Sequence, residues 1–199
     1  MAGGLGKDLR TGLIAIVAMT VVLGLLYPLA ITGISQVAFP GAANGSKLSL
    51  DGKVVGSRLI GQEFKGKGWF HSRPSATGYS GNVTFFGNGG PNSVELREEL
   101  REELAAYVKL NKPYDRSLTR ADVPVDAVTQ SASGVDPDIS QANARIQAHR
   151  IAAVRRLPPS KVEELISANT DGRALGVLGE PGVNVLELNL AIEKEAPLK

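Results

Sequence analysis

Apolar and polar positions divide the chain into two unequal parts. Leu13 to Ile34 is an unbroken apolar run without a charged side chain. At 1.5 Å per residue it forms a helix roughly 33 Å long, enough to cross a hydrocarbon core. It outruns the apolar segment of a cleaved signal and continues past Pro28, while Ala42-Ala43 offers only a weak cleavage site. The run therefore reads as a retained anchor, with Pro28 tolerable because neighbouring helices or hydroxyls can satisfy the freed carbonyl. The pattern gives a short tail over 1–12, a transmembrane helix over 13–36, a turn-rich linker over 37–46 and one small soluble domain over 47–199.

Within the soluble part the periodicities change repeatedly. Leu48 and Leu50, then Asp51-Gly52, then Val54-Val55 predict a hairpin with a tight turn. Residues 56–90 are glycine-rich and without period, so they read as extended or looped. Leu96, Leu100, Leu104 and Val108 recur every four residues and predict a helix over 92–110, with Asn92 as cap and Glu95 in capping-box spacing. The Arg/Glu positions between them read as a solvated face. Residues 125–129 suggest a short strand. A helix follows Ser140 to about Arg156, with Ala144, Ala148 and Ile151 on its apolar face. Ser160 and Glu163 predict a second capping box, opening a helix that ends before Gly172. Leu186, Leu188, Leu190 and Ile192 alternate with less apolar neighbours, the period of a half-buried strand. The fold class is α+β: a single N-terminal transmembrane helix followed by one small mixed soluble domain.

Composition then narrows the chemistry. A net charge of +2 with interspersed signs gives no basic footprint for nucleic acid. The absence of cysteine removes disulfides, thiolate catalysis and cysteine-ligated metals. His71 and His149 make no metal spacing. Lys7 and Arg10 precede the span and Lys47 is the first base after it, which places the N-terminus in the cytoplasm and the domain outside.

No G-x-x-x-x-G-K-[ST] loop or strand-linked G-x-G-x-x-G cradles a phosphate, and Gly87-Asn88-Gly89-Gly90 reads as a turn before Pro91. Ser131 and Ser133, with Asp136, Asp138 and His149 downstream, raise the alternative of a membrane-tethered serine hydrolase, yet no G-x-S-x-G elbow accompanies them. The plainer reading is a serine-rich turn in which Asp136 or Asp138 orders the loop and Ser140 caps the next helix. Gln147 and Arg150 share a helix face and offer donors to a phosphate or carboxylate, or form part of a solvated face.

Four blocks in order carry a resemblance: Gly56 to Phe64 (GSRLIGQEF), Trp69 to Ala76 (WFHSRPSA), Val128 to Ser140 with the following helix through Gln147 and Arg150, and Gly179 to Leu190 (GEPGVNVLELNL). With Tyr27-Pro28 in the anchor, the chain resembles the C subunit of the Kdp-type potassium-transporting ATPases over nearly its whole length. The resemblance implies a non-catalytic accessory subunit of an ATP-driven potassium import complex in the bacterial inner membrane. It carries no phosphorylation motif of its own, and its partners are a potassium-channel-like subunit and a P-type ATPase subunit.

The resemblance also implies a role in assembly, in capping the ion entrance, or as a catalytic chaperone that raises the ATPase subunit's affinity for nucleotide. Under the chaperone idea Ser131, Ser133, Asp136, Gln147 and Arg150 are the nucleotide contacts. ATP is then bound jointly with the ATPase subunit, and the chain has no cofactor or metal of its own. That role conflicts with the charge asymmetry, because ATP is cytoplasmic and the asymmetry places the domain outside.

Overall fold

The computed structural model describes residues 2–81 and 88–198 and divides the chain into two compact units, 1–47 and 48–199. Residues 82–87, part of the stretch expected to loop and including the first glycine of Gly87-Asn88-Gly89-Gly90, lie outside the described residues.

The first unit is a helix in three segments: α1 (Ala2–Met19), a π-helical stretch (Thr20–Leu26) and α2 (Tyr27–Ala38). The helix thus runs through most of the stretch read as a tail and two residues past the expected end. From Gly4 to Ala38 it is 35 residues long, apolar enough to cross a membrane, and none of its most apolar stretch is buried. Tyr27 N–H donates five residues back to the Val22 carbonyl. These widened turns directly precede Pro28, whose ring would otherwise meet the carbonyl four residues earlier. After Phe39, a one-turn helix, α3 (Pro40–Ala43), opens the linker. Asn44 closes it, donating to the Gln36 side chain at 2.9 Å and the Pro40 carbonyl at 2.8 Å.

The second unit opens with the expected hairpin, β1 (Lys47–Leu50) and β2 (Lys53–Ser57). Asp51 and Gly52 both hold positive φ, the conformation a two-residue turn matched to strand twist requires. A long strap, residues 58–81, follows without regular structure and crosses the domain. Next comes α4 (Val94–Asn111), capped by Ser93, which accepts from Leu96 N–H at 3.1 Å. The cap lies one residue after the expected Asn92. The leucine stripe of α4 is only half-buried, and Glu99 and Glu103 share its sheltered side rather than the solvated one.

Residues 125–129 do not form a strand. Val125–Ala127 is a 3-10 turn, fixed where Asp126 accepts from Ser140 N–H (2.9 Å) and Oγ (2.8 Å) and from Asn143 Nδ2 (3.0 Å). Ser140 caps α5 (Gln141–Arg155) as expected, accepting from Asn143 N–H at 3.1 Å. Helix α6 (Pro159–Ala168) starts on Pro158-Pro159, and Ser160 lies inside its first turn rather than at its cap. Proline is preorganised there because its missing N–H would have no partner anyway.

A three-stranded antiparallel sheet of order β3-β5-β4 joins Asp138–Ile139 (β3), Thr170–Asp171 (β4) and Gly182–Asn184 (β5). Its register pairs Ile139 and Thr170 with Val183 from opposite sides. The expected strand over 186–192 is instead helix α7 (Val185–Glu195). Its buried positions are Val185, Leu186, Leu188, Asn189 and Ile192, of which Val185, Leu188, Asn189 and Ile192 follow the helical period, and Asn184 caps it by accepting from Glu187 N–H at 3.1 Å. The alternation misleads because Leu186 and Leu190, like Leu188 and Ile192, are also four apart. The core gathers Phe70, Ile139, Ala144, Ile151, Val162, Ile166, Val183, Leu188 and Ile192 from strap, sheet and three helices.

Candidate functional site

The strap is held by side chains of α5 and α7. Five consecutive backbone carbonyls, Lys67 to His71, each accept from a side-chain donor. Arg150 Nη1 reaches the carbonyls of Lys67 (2.5 Å) and Trp69 (2.8 Å), and Arg155 Nε reaches that of Gly68 (2.8 Å). The Asn189 amide takes both polar groups of Phe70, accepting from N–H at 2.8 Å and donating to C=O at 2.9 Å. The Gln147 amide does the same at His71, at 2.8 and 3.1 Å. Each amide imitates one rung of a sheet, so the carbonyls of this segment, and the N–H groups of Phe70 and His71, are satisfied where it packs against α5 and α7.

Gln147 and Arg150 are buried at 1% and 0% exposure, which corrects the solvated-face reading. Their remaining bonds are internal: Gln147 Nε2 to Asn143 Oδ1 (2.9 Å), Arg150 Nε to Asn111 Oδ1 (3.0 Å) and Arg150 Nη2 to Gln147 Oε1 (2.8 Å). Burial lowers Arg150 to about 10, and it remains a cation at neutral pH amid carbonyl and amide oxygens. Arg155 also stacks on Trp69, 4.4 Å from the ring centre, and pairs with Glu193.

The serine loop grips the strap further along. Asp136 accepts from Arg73 Nη1 at 2.9 Å and from Asp138 N–H at 3.1 Å. Arg73 Nη2 reaches Thr129 Oγ1 and the Gln130 carbonyl, both at 3.3 Å. Ser131 Oγ accepts from Gly134 N–H (3.0 Å) and Ser133 Oγ from Val135 N–H (3.2 Å), the serine-turn geometry expected of this stretch. Gly61 N–H donates to the Val135 carbonyl at 2.7 Å, and a Cβ on Gly61 would lie 2.3 Å from the Asp136 oxygen. Only glycine allows that approach.

Among the described residues, no hydrogen bond joins Ser131, Ser133 or Asp136 to Gln147 or Arg150. Both groups bond to the strap, at Arg73 and at residues 67–71 respectively. Nor does either histidine bond to Ser131 or Ser133: His71 Nε2 lies 2.8 Å from the Gly66 carbonyl, and His149 is exposed.

Between strap and α4 runs a groove of about 780 Å³, with Gln147 and Asn143 in its lining. Glu63, Glu99 and Glu103 face it together with Lys67 and Lys109. Burial, then the charges of Glu99 and Glu102, raises the Glu103 carboxyl. Burial, then Glu63 and Glu103, pushes the Tyr79 hydroxyl up to about 12. Burial and the Arg150 charge lower His71, which favours the neutral ring with Nε2–H donated to Gly66.

Asn189, Arg155, Asn111 and Asn143 are parts of this arrangement that sequence reasoning passes over. One signal was available: Asn143, Gln147 and Arg150 are four and three residues apart, a polar stripe beside the apolar stripe of Ala144, Ala148 and Ile151.

Comparison with known proteins covers nearly the whole chain. The family described as K+-transporting ATPase, c chain (KdpC), matches residues 9–194. A relative from Bradyrhizobium diazoefficiens named potassium-transporting ATPase KdpC subunit is 43% identical over 96% of this chain and 98% of its own. Relatives of the same name from Kineococcus radiotolerans (45%, covering 96% and 95%) and Mycobacterium tuberculosis (44%, covering 94% and 98%) are similar to the same extent.

Proposed function

The chain belongs to the KdpC family, the c chain of K+-transporting ATPases, and from that membership we propose an accessory subunit that stabilises the transport complex by docking, not by holding nucleotide. Subunit membership and the single long apolar helix make it a single-pass membrane protein. The observation that carries the docking reading is the strap clamp. Gln147 and Arg150 spend their donors on backbone carbonyls and neighbouring amides, and Asp136 spends its carboxylate on Arg73. A triphosphate would have to displace those bonds and enter beside three carboxylates. A domain whose buried polar side chains are committed mainly to its own backbone, with only Arg73 Nε and Arg155 Nη2 left without a partner among the described residues, is instead suited to presenting fixed surfaces to the channel-like and ATPase subunits.

Gln147→Leu in the assembled complex tests this reading. The substitution leaves the half-buried N–H and C=O of His71 and the buried Arg150 Nη2 without the Gln147 amide, a loss of about 3 kcal/mol, or roughly 6–12 °C in the melting of a domain this size. The expected result is a less stable domain and less recovered complex, with the apparent KM for ATP within about twofold of the parent. A tenfold rise in that KM with unchanged melting would return Gln147 to the nucleotide-chaperone role.

A further inference from the structure

The β4–β5 hairpin ends in an apolar tip that no described residue of the second unit covers. Between Arg173 and Glu180 the residues are Ala174, Leu175, Gly176, Val177, Leu178 and Gly179. Leu175 is 91% exposed, Val177 73% and Leu178 58%. The tip is nevertheless ordered. Ala174 and Leu178 exchange backbone hydrogen bonds at 2.8 and 2.9 Å, Gly176 N–H reaches the Arg173 carbonyl at 3.0 Å, and Arg173 Nη2 reaches both Glu180 carboxylate oxygens at 2.9 Å. Below it, Asp171 pairs with Gly182 in register, and Val183 is fully buried.

Leu175 sits at φ 54°, a left-handed conformation costly for a bulky side chain. A bend alone would be better made by glycine or asparagine, so leucine here keeps apolar surface at the cost of strain. A preorganised apolar knob loses little entropy on entering a preformed pocket.

We propose that this hairpin tip is a docking knob whose Leu175 and Val177 insert into an apolar pocket on another subunit of the potassium-transporting complex; the inference rests on the accessory-subunit reading above. The chemistry of the tip selects that occupant. A bilayer surface is met with aromatic residues and free bases, whereas residues 172–181 hold no aromatic and their one base, Arg173, is paired with Glu180. A second copy of this chain offers the groove beside α4, where Phe64, Ala106 and Leu110 supply apolar surface, but an apolar knob seated there would also strip water from Glu63, Glu99 and Glu103 without giving them a partner. A fellow subunit, already held close by the shared membrane, is the partner that fits.

Leu175→Asn and Val177→Ser, introduced together in the full-length chain and expressed with its partner subunits, test the knob. Asparagine accepts the left-handed turn, so the chain alone should melt at the parent temperature or above it. Recovery of intact complex after detergent extraction should fall about tenfold or more, the effect of withdrawing two anchoring side chains. A photo-cross-linking side chain at Leu178 of the parent should give an adduct with another subunit. Undiminished complex, or adducts only with lipid or with a second copy, overturns the knob. Normal recovery of the tip variant beside weakened recovery of Gln147→Leu removes the knob and keeps the accessory reading. Loss confined to the tip variant keeps the knob and removes the strap clamp from the account of assembly.

Discussion

At the scale of single residues, polar side chains in this domain serve the backbone. His71 shows the consequence for pH. Burial and Arg150 hold its ring below the ordinary value of 6.5, so the unfolded chain takes up the proton first as pH falls. The folded-state value is the depressed one. The contribution to stability is therefore fully present above pH 6.5 and is lost as pH falls from there through the folded value. Urea midpoints measured from pH 7 to pH 5 should decline, and His71→Gln, which keeps the backbone bonds to Gln147, should flatten that decline. An equally steep decline in the variant would assign the effect to other groups. Gln147 itself marks how far residue-level reading reaches. The sequence singles it out with Arg150, but whether its amide faces solvent or the strap depends on where His71 lies, 76 residues away along the chain.

Among the elements, α5 was legible from Ser140 onward because its cap and its apolar stripe agree. α7 was not legible. Its leucines satisfy both a period of two and a spacing of four, and the deciding features are the cap at Asn184 and the buried Asn189 facing Phe70. Asn184 also donates to the Arg58 carbonyl at 2.9 Å and to Asp138 Oδ1 at 3.2 Å, joining strap, sheet and helix. Asn184→Ala should therefore cost at least the roughly 1–2 kcal/mol of a lost cap, and about 4–8 °C of melting temperature with the lost donors included. A melting curve within about 1 °C of the parent would show that α7 does not depend on that residue.

For the whole molecule, the anchor helix sets where the domain can act. Lys7 and Arg10 lie in its first turns and Lys47 is the first base beyond it, so we expect the domain on the outer face. Ser117 is exposed, and Ser117→Cys should react with a membrane-impermeant maleimide in intact cells. Reaction only after the membrane is opened would place the domain with ATP and favour the chaperone role. Outside labelling would confine its action to assembly or to the ion entrance.

The anchor, the division into helix and domain, the hairpin at Asp51-Gly52, the existence of the longer helices with the Ser140 cap of α5, and the family were all legible before folding. These depend on local composition, on periodicity and on blocks of residues in order, all of which are present before the chain folds. Packing settled the rest: that Gln147, Arg150, Asn189 and Arg155 converge on five successive carbonyls of an aperiodic strap, and that Leu175 and Val177 stand exposed at a hydrogen-bonded tip. A strap of irregular backbone has no repeating signal, because its hydrogen-bond partners lie on helices far away in sequence. An exposed leucine is indistinguishable from a core leucine until the remaining core has been packed without it.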